Sequence, residues 1–249
     1  MKLPHSKTGE ENELLLEVKD LCVRFNGDEV LSNVNFDLHR GDVLAILGPN
    51  GAGKTVLLRT LLGLIPHEGV VRWQPGVKVG YVPQKFVIDR EMPLSLKEFL
   101  SLRYGPRGIS DEECRRALAQ VGMLGTEGKD NALRKRMGVL SAGQMQRVLV
   151  AYSLLGDPDV ILFDEPTTGI DIGGEETIYN LLHRLDVEQD KTIVLVSHDL
   201  AVVYKYANKV VCVSKQMMCY GVPQEVLDPK ALITLYGREA AFYKHDHHD

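Results

Sequence analysis

Val43-Leu44-Ala45-Ile46-Leu47-Gly48-Pro49-Asn50-Gly51-Ala52-Gly53-Lys54-Thr55 is the stretch whose reading decides the fold. Its first five residues are apolar without alternation, as in a strand buried on both faces. The next eight fit the pattern G-x-x-x-x-G-K-[ST] and lead into a helical run, Lys54–Leu64, that stops at Pro66. That is the strand–loop–helix context in which such a loop holds phosphate. Gly48, Gly51 and Gly53 let the backbone curl, so that N–H groups of Pro49-flanked Asn50, Ala52 and their neighbours point at phosphate oxygens. The helix behind the loop adds about half a positive charge at its N-terminus. Lys54 neutralises the β- and γ-phosphates, and the Thr55 hydroxyl is placed to ligate Mg²⁺. The stretch implies a nucleoside triphosphate site on an α/β core.

Outward from the loop, Leu14–Val23 and Val30–Leu38 alternate apolar and polar residues, the period of antiparallel strands with one wet face. Val77–Pro83 reads as a further strand. Residues 95–121 and 141–155 read as helical, with polar links between them. Strand signals return at Val160–Phe163, Ile193–Val196 and Val210–Val213, with helical spacing over Glu175–Leu185 between the first two. That alternation predicts a parallel sheet with right-handed crossovers. The expected fold is α/β: a P-loop ATPase core with a parallel sheet, an N-terminal antiparallel β subdomain and an inserted α-helical subdomain at about 86–158. A polar segment 1–13 and a tail 238–249 flank the domain 14–237.

Composition narrows the class further. The chain has 249 residues, 29 basic against 34 acidic, and a net charge of −5. This acidic balance excludes broad nucleic-acid coating, which needs a basic footprint. No apolar run approaches the roughly 18–20 residues that span a bilayer, and the N-terminus has no signal-type apolar stretch. Any role at a membrane is therefore expected to run through another chain. Cys22, Cys114, Cys212 and Cys219 contain no C-x-x-C pair. They read as scattered thiols in a reducing compartment, with the cytosol as the expected address.

The strand Val160–Phe163 delivers Asp164 and Glu165 to its C-terminal end, where open α/β sheets bind ligands. An Asp there can hold Mg²⁺, and the adjacent Glu is placed to polarise an attacking water. With these residues in place the chain resembles the nucleotide-binding subunits of ABC transporters over nearly its whole length. Leu140-Ser141-Ala142-Gly143-Gln144 is similar to the family's signature, with Ala142 replacing the usual glycine. Val160–Pro166 resembles its Walker B strand with the catalytic glutamate. Gln84 resembles the Q-loop glutamine, Asp171 the D-loop aspartate and His198 the switch histidine. Phe25 stands where the family places an aromatic that stacks on adenine.

The resemblance implies ATP and Mg²⁺ as cofactors, with Glu165, His198 and Gln84 catalytic and Thr55, Gln84 and Asp164 around the metal. It also implies a head-to-tail dimer in which Ser141, Gly143, Gln144 and Asp171 complete the nucleotide site of a second copy. Read by itself, Ser141 is equally an N-cap, and Phe25 equally a core residue. Lys85–Phe99 either docks on a membrane subunit or packs internally.

Within the class, the short segment through Glu68-Gly69-Val70-Val71, Tyr81-Val82-Pro83-Gln84-Lys85 and Leu235-Tyr236-Gly237-Arg238-Glu239 resemble the ATPase subunits of bacterial zinc and manganese importers. That closer resemblance implies multi-span membrane permease subunits and an extracytoplasmic metal-binding protein as partners, no nucleic acid, and a peripheral place on the cytoplasmic face of the cell membrane. An ABC ATPase for another substrate, or a soluble non-transport one, is the alternative. His245, His247 and His248 are ligand types zinc accepts, or equally part of a solvated tail.

Overall fold

The fold is described from a computed structural model covering residues 13–124, 132–167, 172–187 and 191–237. Its strands are β1 (Leu14–Phe25), β2 (Asp28–His39), β3 (Val43–Leu47), β4 (Glu68–Trp73), β5 (Val79–Val82), β6 (Val160–Asp164), β7 (Thr192–Ser197), β8 (Lys209–Ser214) and β9 (Gln216–Gly221). Its helices are α1 (Lys54–Leu61), α2 (Leu96–Ser101), α3 (Asp111–Gln120), α4 (Ala142–Leu154), α5 (Ile172–Val187), α6 (Leu200–Tyr206), α7 (Pro223–Val226) and α8 (Pro229–Tyr236). They form two compact units. One comprises the residues up to Val77 and from Lys191 onward; the other is Lys78–Asp190.

In the first unit the strands lie in the order β4-β1-β2-β9-β8-β3-β7. The N-terminal hairpin β1–β2 and the pair β1–β4 are antiparallel, whereas β3 is flanked in parallel by β8 and β7. Every residue of β3 and of β7 is buried, as an uninterrupted apolar run demands of a strand covered on both faces. At the N-terminal ends of these strands Asp42 ties the sheet together. Its carboxylate accepts from Lys209 Nζ at 2.8 Å and from the His39 N–H at 2.7 Å, while the Asn208 side chain accepts from Val43 N at 3.0 Å. Parallel strands and an antiparallel β part are both present as expected.

Helix α1 ends earlier than its apolar spacing suggests. Gly63 turns left-handed at φ +71° and its N–H reaches Thr60 O at 2.9 Å, closing the helix before Pro66 is met. The Trp73 indole N–H then caps Leu61 O at 2.8 Å from β4. Strands β4 and β9 and helices α6 to α8 have no counterpart in the sequence reading. β4 is largely exposed and β9 has only short apolar stretches, so neither carries a clean period.

The cysteine reading needs correction. Cys22 and Cys114 are free, but Cys212 and Cys219 are joined as a disulfide, with Cα atoms 4.8 Å apart. The reason is tertiary: β8 and β9 form an antiparallel pair in which these two residues are directly opposite, a proximity that a spacing of seven residues does not reveal.

In the second unit β5 and β6 pair in parallel, Val79↔Val160 to Val82↔Phe163. The helical stretch expected over 95–121 is split into α2 and α3, because Gly105, Pro106 and the left-handed Gly108 intervene. Both helices begin with capping boxes, Ser95 with Glu98 and Ser110 with Glu113. Their buried faces use Leu96, Phe99 and Leu100, then Cys114, Ala117 and Leu118.

The hydroxyl of Ser110, and then its backbone N–H, hold the Glu113 carboxyl below its ordinary value. A group lowered in the folded state stabilises the fold fully above its unfolded pKa, and that contribution fades as pH falls through the lowered value. Ser110→Ala is therefore expected to lower stability near neutral pH, by removing the N-cap, and to flatten the acid limb of stability below the ordinary glutamate range. Urea unfolding across pH measures both.

Candidate functional site

In the first unit the loop after β3 has the shape its sequence requires. Gly51 and Gly53 are left-handed, at φ +79° and +98°, which only glycine adopts without strain. A Cβ on Gly53 would sit 2.7 Å from Leu31 Cδ2, and one on Gly48 would run into the carbonyl oxygen of Val213. The loop is thus pressed between β2 and the end of β8. Lys215 N–H donates to Ala52 O at 3.3 Å from the other side.

Lys54 opens α1 and is 6% exposed. Its ammonium donates to Gly48 O at 2.9 Å and Pro49 O at 3.0 Å, folded back over the loop it serves. Burying an ammonium is costly unless its protons are satisfied, so the loop carbonyls keep the charge in place. Thr55 follows in the first turn, half-buried. Pro49 and Asn50 form the outer rim, with Asn50 exposed and Ala52 buried.

The register Leu47↔Ser197 brings the tips of β3 and β7 side by side. His198 leaves the tip of β7 exposed beside the start of the loop, while Asp199 turns back to cap α6 through Ala201 N at 2.8 Å. Phe25 ends β1 at the hairpin tip and is 44% exposed. That removes it from the core and leaves its ring face available. Leu31, on the same hairpin, is the residue that underlies Gly53.

The second unit carries the acids. Asp164, the last residue of β6, is 1% exposed, and Tyr81 on β5 donates its hydroxyl to Asp164 Oδ2 at 3.3 Å. Glu165 is only partly buried, and its backbone is left-handed at φ +45°. A glutamate does not adopt that conformation by preference, and such strain clusters where a side chain must be aimed. Gln84, just past the tip of β5, donates its Nε2 to Glu165 Oε2 at 2.7 Å. The parallel pairing Val82↔Phe163 makes this meeting possible. That bond uses the amide nitrogen; the amide oxygen of Gln84 is by type an acceptor and a hard donor to metals. The Thr55 hydroxyl in the first unit, and the Gln84 amide oxygen and Asp164 carboxylate in the second, are each oxygen donors of the kind Mg²⁺ accepts.

Ser141 is the N-cap of α4. Its hydroxyl accepts from Gln144 N at 3.2 Å while its own N–H donates to Gln144 Oε1 at 3.2 Å. The hydroxyl keeps its proton to donate elsewhere. Ser141 and Ala142 are exposed and Gly143 partly so, so the helix start faces outward, and Lys135 Nζ lies 3.3 Å from Gln144 Oε1. Asp171 and His245, His247 and His248 lie outside the described residues. Among the described residues no group of three or more His, Cys, Asp or Glu side chains is placed to hold a metal.

Three contributors escaped the sequence reading. Tyr81 reaches Asp164 because it lies beside Leu162 in the ladder, and its phenol in an otherwise apolar strand was the available signal. Val213 and Lys215 brace the phosphate loop through backbone atoms alone, for which no residue type is diagnostic.

Comparison with known proteins agrees with this geometry. The profile of the family described as ABC transporter matches residues 31–168. The chain is 41% identical to the zinc import ATP-binding protein ZnuC of Paracoccus denitrificans (strain Pd 1222), over 93% of this chain and 90% of that protein. It is 38% identical to zinc import ATP-binding protein ZnuC 1 of Hahella chejuensis (strain KCTC 2396), over 91% and 85%. Among solved structures it is similar to the ATP-binding cassette MJ0796, determined as a dimer in a post-hydrolysis state bound to ADP and phosphate. That likeness has a TM-score of 0.69 at 25% identity over 84% of this chain and 98% of the other.

Gly48→Ala is expected to displace either the loop or the Val213 carbonyl. Overpacking of this kind costs about 1–3 kcal/mol. Nucleotide affinity should fall at least as steeply as stability, which parallel thermal unfolding and ATP titration will measure.

Proposed function

The chain belongs to the ABC transporter family, and on that premise we propose that it is the ATP-hydrolysing subunit of a zinc importer. Two adjacent carboxylates in different environments carry the hydrolytic part: Asp164 sealed at the strand tip, and Glu165 partly open and held by Gln84. The cargo rests on relatives named for zinc import that match more than nine-tenths of the chain. None of the relatives cited is named for manganese.

Hydrolysis of ATP to ADP and phosphate is largely a matter of positioning and charge neutralisation. The backbone N–H groups of Gly48–Thr55 and the Lys54 ammonium receive the β- and γ-phosphates. Glu165 orients the attacking water and draws on its proton as the bond to the γ-phosphorus forms. His198 donates to a γ-phosphate oxygen, and Phe25 stacks on the adenine. Thr55, Gln84 and Asp164 would hold Mg²⁺, which would supply charge neutralisation at the phosphates. Gln84 would link water activation to metal binding, since the amide whose nitrogen meets Glu165 also carries an oxygen able to hold the ion.

The active unit is a head-to-tail dimer in which Ser141, Gly143, Gln144 and Asp171 of one copy close over the ATP of the other. These contacts exist only in the closed state, and such differential affinity is what lets a ligand drive a conformational change. The helical subdomain, about 86–158 within the domain 14–237, receives the permease. Phe86, Val87 and Met92 are exposed on it, Val87 at 91%, while Phe99 packs inward on Phe86 and Tyr152. Lys85–Phe99 thus divides its apolar residues between surface and core. No helix among the described residues is long and apolar enough to cross a membrane. The reading places the chain at the cytoplasmic face, on multi-span permease subunits served by an extracytoplasmic metal-binding protein.

Glu165→Gln is expected to lower ATP turnover by about 10²–10⁴-fold while retaining nucleotide, so that size exclusion in ATP shows a dimer. Adding Ser141→Arg should abolish that dimer without weakening ATP binding to the monomer. A monomeric Glu165→Gln chain in saturating ATP contradicts the shared-site reading. Reconstitution with the co-purified permease should give ATP-dependent uptake of zinc in preference to manganese and iron. Uptake of either rival metal in preference to zinc overturns the cargo assignment.

A further inference from the structure

The mechanism above uses none of the cysteines, yet two of them stand beside the machinery that does the binding. Cys212 is fully buried, in an apolar cluster with Ala45, Leu47, Leu227 and Leu235, whereas Cys219 is partly exposed. Cys219 is therefore the more accessible of the two, although it packs against the same cluster. Their link closes only seven residues of chain. So short a loop restricts the unfolded chain little, and stabilisation alone is a weak reason for the bond.

Its position offers a stronger one. Immediately past the pair Cys212↔Cys219 the ladder shifts to Val213↔Met217, leaving Met218 as the extra residue of a bulge. Past the bulge, the turn between the strands grips the phosphate loop. The Val213 carbonyl sits against Gly48, the Lys215 N–H donates to Ala52 O at 3.3 Å, and Lys215 O accepts from Ser32 N at 2.8 Å. The disulfide pins the register on the near side of the bulge. Without it hydrogen bonds and packing alone set that register, and a slip of one residue would reverse the facing of every side chain beyond.

We propose that Cys212 and Cys219 form a reversible thiol–disulfide pair that sets how firmly the β8–β9 hairpin holds the phosphate loop, and through it the affinity for nucleotide. The pair stands on its own geometry; its effect on nucleotide rests on the reading of Gly48–Thr55 as the phosphate site. In the reducing compartment proposed for this chain, a disulfide acts as a sensor more readily than as a staple.

The chemistry is exchange with a dithiol reductant. One of its thiolates attacks the sulfur of Cys219, the more accessible residue, the bond between the cysteines breaks, and Cys212 leaves as a thiolate that takes up a proton. The second thiolate of the reductant attacks the mixed disulfide, Cys219 leaves and is protonated, and the reductant closes to a cyclic disulfide. In the reverse direction the two cysteine thiols give up two electrons and two protons to a small-molecule disulfide, which departs as two thiols. In the reduced state two separate sulfurs need more room in a close-packed cluster. The hairpin loosens, and the loop must be ordered as nucleotide binds.

The test uses the full chain, treated with dithiothreitol or with oxidised glutathione, then denatured and alkylated with N-ethylmaleimide. Intact mass should show four adducts after reduction, and after oxidation two, on Cys22 and Cys114, with peptide mapping placing the bond at Cys212–Cys219. Affinity for a fluorescent ATP analogue should weaken by about threefold or more on reduction and return on reoxidation. Cys219→Ala should remove the redox response, with Cys219→Ser in its place if the alanine variant does not fold. Four adducts after oxidation, or equal affinities in the two states, overturns the proposal. Failure of both states to bind the analogue overturns the phosphate-loop reading itself and the proposal with it, and is distinct from equal binding.

Discussion

Between Leu47 and Lys54 the backbone must turn from a strand buried on both faces into a helix, with its N–H groups facing inward and no room for side chains at two of the turning points. Gly48 lies against the Val213 carbonyl, and Gly53 is left-handed above Leu31. Because the loop is held by β2 on one side and the β8–β9 turn on the other, it is pre-shaped for phosphate. Binding then need not meet the full entropic cost of ordering it. The strand order that places β8 beside β3, and the N-terminal hairpin that carries both Leu31 and Phe25, follow from supporting this one turn.

A second constraint operates at the tips of β5 and β6, where neighbouring carboxylates receive opposite treatment. Asp164 is buried and takes a hydrogen bond from Tyr81, while Glu165 is turned out by a left-handed backbone and met by Gln84. Two acids with the same chemistry thereby have different environments, and the proposed division between holding a cation and handling water rests on that difference. Gln84 meets Glu165, and shortly after it along the chain stand the exposed Phe86 and Val87.

Much of this was legible because the informative residues are local and chemically demanding. An unbroken apolar run announced β3, the glycine spacing with Lys54 announced the loop, and Asp164 and Glu165 followed directly on an apolar strand. Ser141 with Gln144 is a capping box at the expected helix start. Features that depend on what another segment supplies were not legible. Strand β4 is exposed and β9 lacks a clean period, so their pairing with β1 and β8 had to be seen. The break between α2 and α3 lay in Gly105, Pro106 and Gly108, which apolar spacing alone overrides.

By itself, then, the sequence determined the fold class, the phosphate loop, the acids and the order in which they occur, since each is encoded in residue type at short range. Only the tertiary structure decided which groups meet: Gln84 with Glu165, Tyr81 with Asp164, Val213 with Gly48, and Cys212 with Cys219. Each of these meetings is set by strand pairing and register, and register depends on hydrogen bonds and packing between segments distant along the chain or, for the cysteines, on a bulge that spacing does not disclose.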